Sequence, residues 1–545
     1  MLNSWIVTLP AILVLTIAII THRVLISLVS GIVLACAIIT NFNIGDTLSL
    51  TFSSILKETQ IINLISGSGT YDHLYTFGFL TTLGIIIQLM AHTGGIHAYT
   101  HMLARFITHR RTAETTSLLI SSSFFLDDYL SNLTTGSIMR SLTDKFKIPR
   151  AKLAFLLDSM GAPLCLLIPL SSWMAFILVQ LQESGISNNL HESPVILADP
   201  FTLYISCIPY QLYTLLIVVS AWLIVRKQLS FGSMRQFEQI AHHTGNLFGG
   251  KESVGRVATQ ETKTFVHGQT SLANFIIPIG SFLIGIPLFA LYYAHWHPLQ
   301  GTIHWYQAIQ NSEVILRSLW SASFTSFIIT TIFLFIRKSL TISALIKIIH
   351  AGALLMLNSL IVLTLAWALS NLLKNDLQTG SYLAQLVIQA VCPAILPITF
   401  FATALFATAA TGSSWGTISV LLPIGLPMLA SLAQQTMHTA IITPAQIPLL
   451  LPVLGAIFCG ALAGSQISPI SDSTVISAAS AGCHHLDHVR TQLFYGLPAI
   501  IASCIGFILF AFLSTSTLSL TCIIALCCII TIMIILTINK YQNKL

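Results

Sequence analysis

Long apolar stretches separated by short polar segments dominate the pattern of this chain. The stretches suited to crossing a membrane lie at 4–21, 24–40, 75–92, 152–180, 202–226, 271–295, 315–336, 344–372, 446–482, 493–513 and 518–538. A helix needs about 20 apolar residues to cross a hydrocarbon core of about 30 Å, and it satisfies its backbone polar groups internally. The pattern therefore predicts an all-α polytopic membrane protein.

Two pairs of segments depart from the pattern of a simple spanning helix. The stretches 152–180 and 446–482 are too long for one straight helix and carry Gly, Pro and Ser in their middles. We expect both to be discontinuous helices, because such residues break a helix where protein shields the backbone from lipid. The segments 113–143 and 395–430 each place two apolar limbs around a polar, Gly-containing centre. The predicted architecture is about 11 spanning helices plus two re-entrant hairpins and discontinuous helices.

Charged loops predict how these segments are oriented. Basic residues flank both ends of the first hairpin, which places its ends in the cytoplasm by the positive-inside rule. The stretches 181–200 and 431–445 contain no Lys or Arg, so both are expected outside. A hairpin followed by a broken helix thus occurs twice with opposite orientation. Interrupted helices at matching positions of inverted halves are typical of a secondary transporter.

This inverted repeat predicts four parts of the chain. Residues 1–226 form the first transmembrane repeat, 227–270 a cytoplasmic linker and 271–513 the second, inverted repeat. Residues 514–545 add a C-terminal transmembrane helix and a cytoplasmic tail. The predicted location is the inner or plasma membrane of the cell, with multiple passes and the C-terminus in the cytoplasm.

Composition agrees with a lipid-facing surface. Charged residues make up only 8% of the 545, where a soluble domain has about 25%. The formal net charge of +6 is small and confined to loops, so no nucleic-acid partner is indicated. The ten cysteines lack metal-ligand spacing, and neither a Walker loop nor a dinucleotide fingerprint occurs. We expect the lipid bilayer as a partner, no cofactor, and an assembly that is either a monomer or a homodimer.

Four aspartates stand within apolar sequence: Asp127, Asp128, Asp158 and Asp472. A carboxylate at bilayer depth costs at least about 2.5 kcal/mol on insertion scales, so it needs a partner, a cation or a proton. Asp128, Asp158 and Asp472 are therefore the candidate proton-coupling residues. Adjacent helical residues point about 100° apart, so one of the Asp127–Asp128 pair is expected to face away from the site. The alternative for each acid is a helix cap or a neutral hydrogen-bonded group.

Side-chain oxygens cluster beside these acids at both breaks, and a bare sodium ion needs several such ligands. The predicted binding set for the ion or substrate is Asp128, Ser131, Asn132, Thr134, Thr135, Asp158, Thr411, Ser413, Ser414, Ser471, Asp472 and Ser473. Unwound helix at Gly136, Gly161, Gly412 and Gly464 is expected to add backbone carbonyls. The predicted metal is Na+ held by this cluster as transported cargo.

Three blocks around these residues resemble the NhaC-type sodium/proton antiporter family, within the wider ion transporter superfamily. They are 127–136 with its continuation through Asp158, 411–417 and 468–474. The resemblance implies an inverted-repeat carrier whose hairpins meet at midmembrane. It also implies a sodium role for 131–135, which is similar to the hairpin-tip motif of carboxylate carriers in the superfamily.

The leading functional prediction is exchange of Na+ for H+ by alternating access to a shared aspartate and hydroxyl site. The alternative is Na+- or H+-coupled transport of a small organic acid or amino acid. An intramembrane enzyme is disfavoured, because no nucleophile and base pair or metal triad is evident. His484 and His488 have zinc-protease spacing but lack the accompanying glutamate, so we expect these histidines at a helix end or interface.

Overall fold

The computed structural model describes residues 5–21, 23–66, 71–190, 194–252, 270–294, 312–390, 393–437, 442–513 and 517–544. These residues form helices joined by turns, together with one parallel pair of two-residue strands.

The part of the chain up to residue 252 holds the first fourteen α-helices and the strand pair. The bounds are α1 (Leu9–Thr21), α2 (Val24–Ile39), α3 (Ile44–Glu58), α4 (Ile61–Ser66), α5 (Asp72–His92), α6 (Gly95–Ala104), α7 (Arg110–Ser123), α8 (Asp128–Lys145), α9 (Arg150–Asp158), α10 (Gly161–Leu167), α11 (Ser172–Glu183), β1 (Ile186–Ser187), β2 (Ile196–Leu197), α12 (Pro200–Cys207), α13 (Leu212–Lys227) and α14 (Ser233–Thr244). Short 3-10 turns at Trp5–Thr8 and Ile208–Tyr210 precede α1 and α13.

The remaining described residues hold ten more α-helices. Their bounds are α15 (Ala273–Tyr293), α16 (Ser312–Ile336), α17 (Ile342–Asn371), α18 (Thr379–Ala390), α19 (Leu396–Thr411), α20 (Ser414–Met437), α21 (Leu450–Ile467), α22 (Asp472–Ala481), α23 (His485–Phe512) and α24 (Thr517–Lys544). A π-helical turn, Leu372–Asp376, extends α17, and 3-10 turns lie at Pro393–Ile395 and Pro444–Gln446.

The predicted class, an all-α polytopic membrane protein, is confirmed. Nine helices of the described chain are long and apolar enough to cross a membrane, or up to 11 if each of two bent pairs counts as one span. The membership differs from the prediction at two places. The limbs of the second hairpin are themselves long enough to span, α19 together with its preceding 3-10 turn (Pro393–Thr411) and α20 alone, whereas α1 and α2 are shorter than 18 residues.

Both hairpins and both broken helices are present in the expected order. The first hairpin is α7–α8, and the first broken helix runs through α9, α10 and α11 with a bend of 47°. The second hairpin is α19–α20, which turns at Gly412 with a φ of 74°, and α21–α22 is interrupted at 468–471. The prediction of unwound helix at Gly136 and Gly464 is wrong, since both lie inside helices. A Cβ at Gly136 would meet Ser480 at 2.3 Å, so that glycine permits close helix packing instead.

Several helices, among them α3 and α14, lie where the sequence predicted no element. The helix α3 fills the polar interval between two predicted spans, and α14 lies inside the predicted linker 227–270. Residues 253–269 of that linker fall outside the described residues. The division of the chain into two repeats and a linker remains a prediction.

Small residues allow α5 and α17 to cross closely. A Cβ built on Gly84 would lie 2.5 Å from the Gly352 carbonyl oxygen, and one on Gly352 would lie 2.5 Å from the Ile85 Cα atom. Membrane helices associate through such glycine contacts, because lipid supplies no hydrophobic drive between them. This crossing joins α5 to α17, one of the helices that line the cavity described below.

We expect Gly352→Ala to lower the thermal midpoint of the detergent-purified protein by a few degrees. The added methyl group would meet backbone atoms, and overpacking of this kind costs about 1–3 kcal/mol. Gly280→Ala is the matched control, because a Cβ there meets nothing within 4 Å. Intrinsic tryptophan fluorescence during heating measures both variants. Equal midpoints would show that the α5–α17 contact accommodates the added methyl group without loss of stability.

Candidate functional site

A cavity of about 50 Å³ lies where four helices begin in the interior of the protein. The first turns of α8, α11, α20 and α22 all contribute to its wall, and the middle of α17 closes one side. The complete lining is Asp128, Tyr129, Trp173, Asn358, Ser359, Val362, Gly412, Ser413, Ser414, Trp415, Ser465, Ser471, Asp472 and Ser473. A volume of this size holds on the order of three or four waters.

Two carboxylates, from distant parts of the sequence, face this cavity. Asp128 lies in the first turn of α8 and is 5% exposed, while Asp472 lies in the first turn of α22 and is more open. The Tyr129 hydroxyl donates to Asp472 Oδ2 at 3.3 Å, which links α8 to α22. Asp128 Oδ1 is buried and has no hydrogen-bond partner among the residues described. A buried carboxylate oxygen in this state is an open ligand for a cation or a proton.

Hydroxyl groups surround the acids. Ser465, Ser471 and Ser473 form a triangle, with Oγ–Oγ distances of 2.5, 3.0 and 3.2 Å. Ser413 and Ser414 reach the same cavity from the turn of the second hairpin. The break between α21 and α22 and the turn between α19 and α20 thereby place several neutral oxygens beside two acids.

Asp127 has a different role from its neighbour. It is the N-cap of α8, where its Oδ1 accepts from the Leu130 backbone N–H at 3.0 Å. The Ser172 hydroxyl donates to its other oxygen at 3.0 Å, so Asp127 ties the start of α8 to the start of α11. The carboxylate of Asp127 is thus used structurally, and Asp128 is the member of the pair that faces the cavity.

Asp158 forms a second, fully buried polar cluster beside the cavity. It ends α9, and the Gln492 side chain of α23 donates to its Oδ2. The Gln466 side chain donates to the Asp158 backbone carbonyl at 2.7 Å and accepts from the Tyr213 hydroxyl at 2.6 Å. The Ser473 hydroxyl also faces this carboxylate, so Ser473 is shared between the cavity and the Asp158 cluster.

Several oxygens of the Asp158 cluster remain open within the described part of the chain. They are Asp158 Oδ1 and Gln492 Oε1, which are buried and without a hydrogen-bond partner, and α8 carries two further buried oxygens of this kind, Asn132 Oδ1 and Thr135 Oγ1. The Asn132 side chain packs on Gly161, where a Cβ would come within 2.6 Å of Asn132 Oδ1. Buried oxygens of this kind normally have partners, so their clustering favours a bound cation or water.

Three residues of the predicted site lie elsewhere. The Ser131 hydroxyl donates to the Ser121 carbonyl at 3.0 Å and holds the limbs of the first hairpin together. Thr134 is buried but does not line the cavity. Thr411 accepts from the Ser413 backbone N–H at 3.3 Å within the hairpin turn and faces α1 and α2. The prediction grouped these three with the acids because the spacing of hydroxyl residues along the sequence does not determine which face of a helix meets the acids.

The predicted binding set lacks several polar groups of the site. Asn358 interrupts an apolar run in α17, and Gln492 directly precedes the predicted spanning stretch 493–513. Each position gave only a weak sequence signal of a polar site. His484 and His485 lie at the start of α23, as expected of a helix end, and bond to backbone carbonyls of Glu252 and Pro469. His488 instead turns inward, where its Nε2 lies 3.9 Å from Asp158 Oδ2.

Apolar spanning helices, two hairpins, two broken helices and a buried acid cavity at their meeting point define a multi-pass secondary transporter. The sequence profile of the Na+/H+ antiporter family matches residues 164–512. The chain belongs to this family, which confirms the resemblance to NhaC-type antiporters. Membership places the chain among transporters rather than enzymes.

Relatives agree with this class. An uncharacterized protein of Haemophilus influenzae is 29% identical over 505 residues, which covers 92% of this chain and 90% of that protein. The malate-2H+/Na+-lactate antiporter of Bacillus subtilis is 38% identical over 104 residues, or 19% of each chain. The crystal structure of the Alcanivorax borkumensis YdaH transporter covers 85% of this chain and 88% of its own, with a TM-score of 0.53 and 14% identity. The likeness to YdaH shows a shared fold.

The contrast between the two adjacent aspartates generates a stability prediction. Asp127→Ala removes an N-cap and leaves the Ser172 hydroxyl without its acceptor, so we expect a loss of roughly 1–2 kcal/mol. Asp128→Asn replaces a buried carboxylate that has no basic partner, and it should leave the thermal midpoint unchanged or higher. Thermal unfolding of both variants in detergent measures the difference. A larger loss in Asp128→Asn would reverse the roles assigned to the pair.

Proposed function

We propose that this protein exchanges Na+ for H+ across the cell membrane by alternating access to the cavity between α8, α11, α20 and α22. The observation that carries the proposal is the convergence of Asp128 and Asp472 on one cavity that no Lys or Arg of the described chain lines. Hard cations such as Na+ prefer carboxylate, hydroxyl and carbonyl oxygens, which the cavity supplies from Ser413, Ser414 and Ser473.

Helix starts support the carboxylates in this position. Asp128 and Asp472 lie in the first turns of α8 and α22, where the positive end of the helix dipole stabilises an anion. This support allows a carboxylate to exist without a basic partner in a poorly solvated interior. A carboxylate without a basic partner is free to take either a proton or Na+. Competition between the two ions for the same oxygens couples their movements in opposite directions.

We assign the Asp158 cluster to the same transport cycle. Asp158 offers a buried open oxygen and adjoins the cavity through Ser473, and Asn132 and Thr135 of α8 carry further buried open oxygens. In this proposal the cavity is the entry position for the cation, and the Asp158 cluster is an inner position for a cation or a proton. Because Asp158 is fully buried, ion access to it requires movement of α8 relative to α22 or α23.

Coupled transport of a small organic acid is the second candidate. The helix α20 begins at the cavity without an acidic residue in its first turn, and a free helix start favours a carboxylate group. The name of the Bacillus subtilis relative includes malate and lactate, although the match covers only 19% of this chain. The volume of about 50 Å³ and the two acids in the wall favour a small cation.

Exchange in everted vesicles tests the proposal directly. We expect Na+ to dissipate an imposed proton gradient, as reported by a pH-sensitive dye, and we expect Asp128→Asn and Asp472→Asn to reduce the response to background. Asp46→Asn is the control, because Asp46 is an exposed acid in the first turn of α3. Full exchange in both cavity variants would refute the proposed site. A response that requires malate or lactate together with Na+ would favour the second candidate.

Labelling of introduced cysteines tests the proposed orientation in the membrane. A membrane-impermeant maleimide added to intact cells should label Asn189→Cys, in the stretch predicted to be external, and should leave His243→Cys of α14 unlabelled. Both positions are exposed, so accessibility within the protein does not separate them. The parent protein supplies the background from its native cysteines. The opposite labelling pattern would invert the proposed topology.

A further inference from the structure

A second cluster of titratable residues lies away from the cavity, where four helices end or begin. Glu58 is the last residue of α3, His73 is the second residue of α5, Glu183 ends α11 and Asn371 ends α17. The His73 side chain is 3% exposed and stacks on Trp367, while the Glu183 side chain is 18% exposed. The cluster is therefore buried but open to solvent on the Glu183 side.

Hydrogen bonds fix the protonation of one ring nitrogen of His73. Its Nδ1 lies 2.7 Å from the Glu58 backbone oxygen, and a carbonyl oxygen only accepts, so Nδ1 carries a hydrogen. Its Nε2 lies 2.8 Å from Glu183 Oε1. A neutral imidazole with hydrogen on Nδ1 presents a lone pair at Nε2. The contact would then bring two hydrogen-bond acceptors, Nε2 and the Glu183 carboxylate oxygen, together without a hydrogen between them. The geometry requires a cation, either a proton or a metal ion, between His73 and Glu183.

Asn371 positions the two carboxylates around the same point. Its side-chain Nδ2 donates to Glu58 Oε1 at 2.9 Å and to Glu183 Oε2 at 2.6 Å. One oxygen of each glutamate is left to face His73: Glu183 Oε1 lies at Nε2, and Glu58 Oε2 lies 3.6 Å from Nδ1. Metal-binding histidines and carboxylates are held in this manner, by a carbonyl on the second ring nitrogen and by donors on the second oxygen.

We propose that Glu58, His73 and Glu183 form a binding site for one divalent transition-metal ion of the zinc type. One ligand atom from each residue lies within 4.8 Å of the other two. Zinc accepts one imidazole nitrogen and two carboxylate oxygens at about 2.0–2.2 Å, and solvent beside Glu183 completes the coordination. For three ligands to reach these distances, the Glu58 carboxylate must move from the Nδ1 side of the His73 ring toward Nε2.

The surrounding charges define the strength of such a site. Lys57 and Lys374 interact electrostatically with Glu58 and Glu183 respectively, and Asp72 lies next to His73. The two lysines oppose a bound dication, whereas the carboxylates of the cluster neutralise its charge. The donor set of one imidazole nitrogen and two carboxylate oxygens suits a borderline ion such as Zn2+ rather than Ca2+ or Mg2+, which prefer all-oxygen cages.

Occupation of this site would restrain the helices that flank the transport cavity. The helix α11 places Trp173 at the cavity and Glu183 at the cluster, about 15 Å apart along the helix. The helix α17 likewise runs from Asn358 at the cavity to Asn371 at the cluster. A metal ion would join α11 directly to α3 and α5, so movement at the cavity would be opposed. The charge pattern places this end of α11 outside the cell.

Metal binding by the full chain purified in detergent tests the site without reference to transport. Calorimetric titration with Zn2+ should show one equivalent more for the wild-type chain than for His73→Gln. Glu58→Gln, which keeps the side-chain shape, should lose the same equivalent, and each variant should elute as a monodisperse peak. His350→Gln is the matched control, since His350 is exposed on α17 and should leave the stoichiometry unchanged. Equal numbers of equivalents in wild type and both cluster variants would assign the His73–Glu183 contact to a proton and overturn the proposal.

Cobalt and transport measurements extend the test. Co2+ should give visible absorption bands in the wild-type chain, and their absence would contradict a metal site of low coordination number. In vesicles, external Zn2+ should lower exchange several-fold in the wild-type protein and not in His73→Gln. Zn2+ binding without inhibition of exchange would contradict the proposed restraint on α11 and α17, and it would leave the metal site itself in place. This inhibitory effect rests on the proposed function, whereas the binding measurements do not, so the two failures are distinguishable.

Discussion

The rest of this structure depends on one constraint, the burial of carboxylates in a protein interior surrounded by lipid. Such groups are costly unless a proton, a cation or oriented dipoles compensate their charge. Asp128 meets this constraint without a basic partner in the described cavity wall, and Asp472 lies in the same wall in a more open position. Their compensation comes from their placement in the first turns of α8 and α22, at the positive ends of the helix dipoles. The hairpin turn and the helix break are therefore necessary for the acids to be there at all.

Much of the architecture was predictable from sequence, because its signal is strong and local. Scarcity of charge made Asp128, Asp158 and Asp472 conspicuous, and Gly, Pro and Ser in overlong apolar runs located the breaks. The glycines were harder to interpret. Gly412 adopts a positive φ at a turn, whereas Gly136 is helical and allows close packing against Ser480. A glycine has the same sequence signal in both situations, so only the packing of a second helix distinguishes them.

The composition of the site was less predictable, since it depends on which helix faces meet. Asn132 and Ser131 are adjacent in the same motif, yet one faces the Asp158 cluster and the other bonds across the first hairpin. His488 and Gln492 complete the Asp158 cluster from a helix whose start resembled a simple interface. These contacts join residues more than 300 positions apart along the chain, and local patterns carry no information about such pairings.

The four helix starts also explain why the proposed site would exchange ions rather than accumulate them. Each helix start carries roughly +0.5 of an elementary charge, so four supply about +2, which two ionised aspartates offset. The empty cavity is then close to neutral, and the hydroxyl oxygens tolerate one added monovalent cation. A second cation would leave about two uncompensated charges in a medium of low dielectric constant, where their repulsion is strong. At the proposed site Na+ and H+ would therefore exclude one another electrostatically even where their ligands differ, and this exclusion would supply the coupling that antiport requires.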